Sequence, residues 1–238
     1  MANIALIIAG GRGNRMGQDL PKQFLNVHDK PIIIYTCEAF QKHPLIDVIV
    51  IVCIDGWQTA LQAYANQFNI TKLKVIVPGG KNGQSSIRNG LDAIKDKYDK
   101  DDIVLVHDAI RPLVSQEIIT QCILTAEEYG SAITCVPCAE ALLETEDQKT
   151  SVNVLDRDLI KRTQTPQGFS LGTLLDMHIE AQKRGIIDSV ASCTLAVELG
   201  RTVYFCAGSE KNIKLTTVDD MDIFKALLES QQAEWLKR

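Results

Sequence analysis

Three cations stand within eleven residues near the start of the chain: Arg12, Arg15 and Lys22. They follow the apolar run Ile4-Ala-Leu-Ile-Ile-Ala9 and are interleaved with Gly10, Gly11 and Gly13. A continuous apolar run of this length reads as a strand buried on both faces. Glycines after it let backbone N–H groups come close to an anion. A guanidinium offers phosphate a fork of donors, and an ammonium offers a point charge. The stretch therefore predicts a phosphate-binding loop at the carboxyl end of the first strand. For the turn taken alone, a plain strand–turn with solvated charges is the alternative. Neither common nucleotide loop is present. Met16 stands where G-x-G-x-x-G needs its last glycine, and no Gly-Lys-Ser/Thr follows.

Three later stretches carry polar groups of the same kind. Gly79-Gly80 leads into a helix expected to start near Ser85 or Ser86. A helix start offers free N–H groups and a positive dipole end. Ser86 either caps that helix or meets a ligand. The run Ile103-Val-Leu-Val-His-Asp108-Ala-Ile-Arg111-Pro112 ends a buried strand in a carboxylate. In a parallel sheet that end shares an edge with the first loop. Asp108 there either holds Mg2+ against phosphate oxygens or caps the loop and pairs with Arg111. His107 reads as structural. Lys214, between Ile213 and Leu215 ahead of a helix starting at Asp219 or Asp220, is either a phosphate ligand or a solvated strand lysine.

The elements needed to position these groups are present. The chain has 238 residues, 45% apolar and 23% charged, which suits one large α/β domain over 1–238. Helices are expected over Ile32–Gln41, Trp57–Phe68, Gln116–Tyr129, Leu171–Lys183 and Asp188–Leu199, and strands over Asp47–Ile54, Lys74–Val77, Ala132–Pro137 and Val203–Ala207. Ala139–Arg162 alternates short extended pieces with polar turns. It reads as a β-arm whose apolar face needs cover, most economically from a second copy of the chain. The run Gln164-Thr-Pro-Gln-Gly-Phe169 is too polar for an ordinary core connection.

Several classes are excluded or disfavoured. A net charge of −5 argues against a nucleic-acid partner. No apolar run approaches the roughly 20 residues of a membrane span, and no signal peptide is seen. The expected location is the cytoplasm. The seven cysteines sit mostly in apolar runs and read as reduced core thiols, the pair Cys135-Val-Pro-Cys138 included. A dinucleotide-dependent oxidoreductase is disfavoured by the broken glycine fingerprint.

The constellation fits nucleotidyl transfer, in which a substrate phosphate attacks the α-phosphorus of a nucleoside triphosphate and pyrophosphate leaves. The nucleophile is already an anion, so no general base is needed. Catalysis is positioning and charge neutralisation. The motifs A-G-G-x-G-x-R-M, P-K-Q, V-H-D-A-x-R-P, Q-T-P-Q-x-F and N-I-K-x-T run in order across Ile4–Asp220. In them the chain resembles the family of methylerythritol-phosphate and ribitol-5-phosphate cytidylyltransferases.

That resemblance implies a Rossmann-like, mostly parallel sheet sandwiched by helices, with the projecting β-arm forming a homodimer. It implies CTP, a small alcohol phosphate and Mg2+. Ala9, Gly10, Gly11, Gly13 and Arg15 would hold the triphosphate, and Lys22 and Lys214 the transferring phosphate. Gly79, Gly80 and Ser86 would meet cytidine, and Asp108 and Ala109 the nucleotide and metal. Arg157 would reach the acceptor across the dimer, and Arg111 would support the Asp108 loop.

Departures from the family pattern fall mainly on the acceptor side. Glu140-Ala141 replaces an Asp-Thr pair, and Asp188-Ser189-Val190-Ala191 replaces a run that begins Thr-Asp. Gly83 stands where an arginine is usual. With Glu140 and Asp188 at acceptor positions, the expected substrate is a polyol phosphate, ribitol 5-phosphate-like or glycerol phosphate-like. Methylerythritol 4-phosphate is the alternative. A catalytically inactive nucleotide-binding regulator is the alternative of another class, and the retained cations speak against it.

Overall fold

The computed structural model describes residues 1–11 and 20–235, with side chains to residue 230. The elements in chain order are β1 (Asn3–Ala9), β2 (Asn26–Val27), β3 (Lys30–Pro31), α1 (Ile32–Lys42), β4 (Val48–Cys53), α2 (Gln58–Gln67), β5 (Leu73–Pro78) and α3 (Gly83–Asp92). Then come β6 (Ile103–Asp108), α4 (Gln116–Tyr129), β7 (Ser131–Pro137), β8 (Leu142–Glu144), β9 (Asn153–Leu155), β10 (Lys161–Ser170), α5 (Leu171–Arg184), α6 (Ser192–Glu198), β11 (Phe205–Ala207) and α7 (Val218–Trp235).

Seven strands form one mixed sheet in the order β11-β7-β10-β6-β1-β4-β5. β6, β1, β4 and β5 are mutually parallel, β11 is parallel to β7, and β10 runs antiparallel between β6 and β7. Successive side chains on a strand point to opposite faces, so a strand covered on both sides must be apolar throughout. This is why β1, β4 and β6 read as unbroken aliphatic runs. Ala5, Ile7, Ile49, Ile51 and Leu105 pack with Ile33 and Phe40 of α1, Leu61 of α2 and Ile119 of α4. Ile4, Leu6, Val50, Val52, Val104 and Val106 pack on the other face with Leu91 of α3, Leu174 and Met177 of α5 and Leu195 of α6.

Helix α3 lies unusually close to the sheet. A Cβ on Gly90 would fall 2.5 Å from Leu6 Cδ1 and 2.9 Å from Val52 Cγ2. Glycine there lets the helix settle onto the strands, with its N-terminus at the edge where β1 and β6 end.

Three expectations are corrected, and one stretch is explained: the polar run Gln164–Phe169 forms the middle of β10, where its amides are satisfied inside the protein. Asp188–Leu199 is helical only from Ser192, because residues 186–189 are tied instead to α3. Asn82, not a serine, caps α3: its side chain accepts from Ser85 N, and the Ser85 hydroxyl closes the box on Asn82 N. The arm ends sooner than Arg162, because Lys161 and Arg162 already pair with Pro137 and Val136 of β7. What projects is the hairpin β8–β9, paired Leu143 to Val154, with Leu143, Val152, Val154 and Leu159 exposed.

Candidate active site

The cleft sits at the carboxyl ends of β1 and β6 and encloses about 620 Å³. Ala9, Gly10 and Gly11 form one wall, and Asp108, Ala109 and Ile110 the next. The turn Gly80–Gly83 with Ser86 closes a third side, and Lys22, Lys214 and Thr216 reach in from flanking loops. Expected site residues from four separate stretches are thus brought together by the sheet edge. Gly13 and Arg15 lie outside the described residues. Arg157, Glu140 and Asp188 are exposed and line no part of this cleft.

Gly79 is not a lining residue either. It is a packing glycine: a Cβ on it would sit 3.2 Å from Gly10 Cα, and one on Gly10 would sit 3.2 Å from Ser86 Oγ. The first loop and the β5–α3 turn therefore touch backbone to backbone. Ser86 spends its hydroxyl on the same turn, accepting from Gly80 N at 3.0 Å and donating to Asn82 O at 2.8 Å. Its role here is to shape the glycine turn against the first loop.

Gln23, the third residue of Pro21-Lys-Gln, is almost wholly buried. Its Nε2 donates to Ala9 O at 2.8 Å and Gly11 O at 3.1 Å. It ties the start of the glycine loop to the segment that carries Lys22. The sequence signal was the P-K-Q run, but nothing local says where the amide goes.

Asp108 lies at the centre of the charge. Arg111 Nε donates to its Oδ2 at 3.1 Å, and Lys214 Nζ lies 3.2 Å from the same oxygen. Burial alone would raise its pKa, but Lys214 and Arg111 outweigh it and hold the carboxyl below the usual range. The group is therefore a carboxylate at neutral pH. Its Oδ1 has no hydrogen-bond partner among the described residues. A carboxylate that lines the cleft is of the chemical type that holds Mg2+, which is commonly bound by one or two carboxylates plus phosphate oxygens and water. No group of three or more His, Cys, Asp or Glu side chains that could hold a metal occurs among the described residues.

The Asp108 loop is fixed by a short relay. Asp108 N donates to Thr165 Oγ1 at 3.0 Å, which lies 3.1 Å from His107 Nδ1, and His107 Nε2 lies 3.2 Å from Arg111 O. A carbonyl can only accept, so Nε2 carries the proton and Nδ1 accepts from Thr165. Burial lowers the His107 pKa to about 4, so the ring is neutral in this arrangement. His107 is structural, as its position in an apolar strand implied.

Lys214 is placed by its neighbours. Asn212 is fully buried and donates to Thr165 O at 2.9 Å, Arg111 donates to Asn212 O at 2.7 Å, and Leu215 N donates to Ile110 O at 2.9 Å. Asp220 of α7 accepts from Thr216 N and Thr217 N at 2.7 and 2.8 Å. The lysine between these anchors lines the cleft with its Nζ beside Asp108.

A second cavity of about 210 Å³ adjoins the first, and Ile8, Gly83, Asp108 and Lys214 line both. Its other walls are Thr163–Thr165 of β10, Arg111, and the segment Val190–Ser192 ahead of α6. That segment is held to α3 by Gln84, whose amide donates to Ile186 O and accepts from Ser189 N, both at 2.8 Å. Two adjoining cavities that meet at a carboxylate and a lysine suit a reaction between two phosphorylated molecules.

Comparison with known proteins identifies the family. The family model "IspD: 2-C-methyl-D-erythritol 4-phosphate cytidylyltransferase" matches residues 3–230. The chain is 45% identical over 230 residues to a ribitol-5-phosphate cytidylyltransferase of Lacticaseibacillus paracasei, covering 96% of this chain and 98% of that one. It is 37% identical over 234 residues to a 2-C-methyl-D-erythritol 4-phosphate cytidylyltransferase of Clostridium acetobutylicum, covering 98% and 100%. Its fold superposes on the crystal structure of 2-C-methyl-D-erythritol 4-phosphate cytidylyltransferase from Thermus thermophilus with a TM-score of 0.78 at 26% identity, covering 95% and 98%. With a match that runs from the first strand into the terminal helix, the chain belongs to the IspD family of cytidylyltransferases.

Proposed function

We propose that the protein joins CTP and ribitol 5-phosphate to give CDP-ribitol and pyrophosphate. The observation that carries the two-substrate reading is the pair of cavities meeting at Asp108 and Lys214. The choice of ribitol over methylerythritol rests on the 45% relative, against 37% for the methylerythritol enzyme. The family model's own description favours methylerythritol 4-phosphate as the second reading.

In this scheme the triphosphate lies along Ala9–Gly11 with Lys22, and the acceptor phosphate enters from the smaller cavity. An oxygen of that phosphate attacks the α-phosphorus of CTP, and the bond to the β-phosphate bridging oxygen breaks. Lys214 and Lys22 offset the charge that gathers on the α-phosphoryl group and on pyrophosphate. Asp108 would hold Mg2+, which when bound supplies further charge neutralisation on the phosphate oxygens. Arg111 keeps the carboxylate ionised and in place. Arg15 is assigned to the triphosphate on the sequence pattern alone.

The exposed apolar hairpin β8–β9 supports a homodimer, in which Arg157 and Glu140 would reach the partner's acceptor cavity. Among the described residues Arg157 donates to Ala139 O, at 3.0 Å on the arm itself. Seven buried cysteines without a disulfide suit a reducing cytoplasm. The acidic net charge gives no support to nucleic-acid binding. Among the described residues no helix is long and apolar enough to cross a membrane.

The test is pyrophosphate release with CTP and Mg2+ against ribitol 5-phosphate, methylerythritol 4-phosphate, arabinitol 5-phosphate and both glycerol phosphates, with ATP, GTP and UTP as controls. Release with CTP and ribitol 5-phosphate is expected. Release with methylerythritol 4-phosphate and not ribitol 5-phosphate would replace the acceptor. Release with no pair would remove the catalytic reading.

A further inference from the structure

Asp108, Ala109 and Ile110 form one wall of the cleft, and the backbone of the turn Asp108–Arg111 can be accounted for group by group. Asp108 N donates to Thr165 Oγ1, and Asp108 O accepts from Arg111 N at 3.1 Å. Ala109 N donates to Ile8 O at 3.0 Å, and Ala109 O accepts from Thr36 Oγ1 at 2.8 Å in the protein interior. Ile110 O accepts from Leu215 N, and Arg111 O from His107 Nε2. The exception is Ile110 N, which has no acceptor among the described residues. Ile110 is 7% exposed and lines the cleft. A backbone N–H left unpaired in so buried a residue is rare and calls for an explanation.

Thr36 sets the direction of that N–H. It is fully buried in the middle of α1. A threonine inside a helix commonly returns its hydroxyl to the carbonyl one turn back, but this one spends it on Ala109 O, 73 residues away. The peptide between Ala109 and Ile110 is trans and planar, so its N–H points opposite to its C=O. With the carbonyl drawn toward α1, the Ile110 N–H is turned away from α1. We propose that the Ile110 N–H donates to a phosphate oxygen of CTP, with Thr36 as the positioning residue that sets the plane of the peptide. The proposal rests on the nucleotide reading above and deepens it. Ile110 lines the larger cavity and not the smaller one, so the phosphate belongs to the nucleotide rather than to the acceptor. A fixed backbone donor suits this role, because it needs no reorganisation when charge gathers on the oxygen. Unlike Lys214, it is not shared with the Asp108 carboxylate.

The experiment is NMR of the protein with isotopically labelled isoleucine amides, the Ile110 signal being identified through Ile110→Val. Cytidine, CMP and CTP with Mg2+ are titrated in turn without an acceptor. The Ile110 amide proton should move downfield with CTP and stay in place with cytidine. A downfield move with CMP as well would assign the bond to the α-phosphate, and a move with CTP alone to an outer phosphate. Thr36→Val keeps the shape of the side chain and removes the hydroxyl. By calorimetry it should weaken CTP binding about 10- to 100-fold, the range of one hydrogen bond to a charged group, and leave cytidine binding unchanged. Thr36→Ser keeps the hydroxyl and should restore both the affinity and the shift. An Ile110 amide that does not move while CTP binds, or that moves equally with cytidine, would overturn the proposal and leave the N–H to water. Parental CTP affinity in Thr36→Val would overturn the positioning role. Failure of the nucleotide reading is distinct, since it shows as no CTP binding by the parent protein, and it would take the proposal with it.

Discussion

Acidification from pH 7 to pH 5 should weaken the fold through two histidines. His107 and His178 are both buried, and burial lowers each pKa to about 4. At His178 the nearby Arg88 cation pushes the same way and Asp92 opposes it. The unfolded chain titrates its histidines near 6.5. Between about pH 6.5 and 4 the unfolded state therefore holds more protons, and stability falls as pH falls through that window. At pH 5 each histidine costs the folded state about 2 kcal/mol relative to pH 7, so the pair costs about 4. His43, also lowered by burial, adds in the same direction. The lowered carboxylates Asp92, Asp108 and Asp220 act at lower pH and do not enter. The assay is urea unfolding followed by circular dichroism at both pH values, where the pair should lower the midpoint by roughly 1 M. His178→Gln, at a residue that lines neither cavity of the site, should remove about half of the loss while leaving turnover at pH 7 intact. A variant that loses as much stability as the parent between pH 7 and pH 5 would refute the reasoning.

Three further outcomes follow from the site. Lys22→Ala should lower turnover by about 10²- to 10³-fold in a protein that still folds, as measured by pyrophosphate release, if the lysine offsets charge on the leaving group as proposed. Parental turnover in that variant would end the role assigned to Lys22. Gln23→Leu strips the donors from Ala9 O and Gly11 O, at a cost of about 1–3 kcal/mol. It should appear as a higher KM for CTP together with a lower melting temperature, and an unchanged KM would detach Gln23 from the nucleotide loop. Mixing Arg157→Ala and Lys22→Ala proteins should restore part of the activity after subunit exchange. No recovery with exchange demonstrated would mean that each site is built by one chain.

The parts of this molecule that were legible in the sequence are those whose physics is local. β1, β4 and β6 are aliphatic without interruption because both their faces are covered, and the charges and glycines after β1 and β6 mark the sheet edge where a polar ligand can approach. Helix α4, over Gln116–Tyr129, was placed to the residue, since Ser115 caps it and Gly130 at φ 80° closes it. Other features were hidden because their partners are distant. The helix start was expected near Ser85 or Ser86, yet it is the side chain of Asn82 that caps α3, and it also donates to Ile187 O, 105 residues away. Asp188–Leu199 carries enough apolar residues for a helix, but Gln84 captures Ser189 and pins the first turn as loop. Arg157, Glu140 and Asp188 were read onto the acceptor by resemblance, and a single protomer does not bring them to the cleft.

Strand β10 shows why polarity misled and what the polarity is for. A strand between two others is expected to be apolar, and Gln164, Thr165 and Gln167 violate that expectation at its centre. Each spends its side chain on a different loop. Gln164 holds Ser209 and Asn212, and so the segment that delivers Lys214. Thr165 holds Asp108 N and His107, and so the carboxylate. Gln167 holds Cys193 N, and so the start of α6 and its neighbour Ser192. An apolar strand would pack as well, but it would leave three loops to find their positions by chance. Buried amides with complete hydrogen bonding are costly to misplace, so they fix one arrangement. Gln164 and Thr165 fall within the register shift between Thr163 and Gln167, where β10 slips against β7. β10 therefore serves as the frame that sets Lys214, Asp108 and Ser192 around one cavity. By that logic Gln164→Leu should cost activity out of proportion to stability, because it frees the Lys214 loop while leaving the aliphatic layers of the sheet untouched.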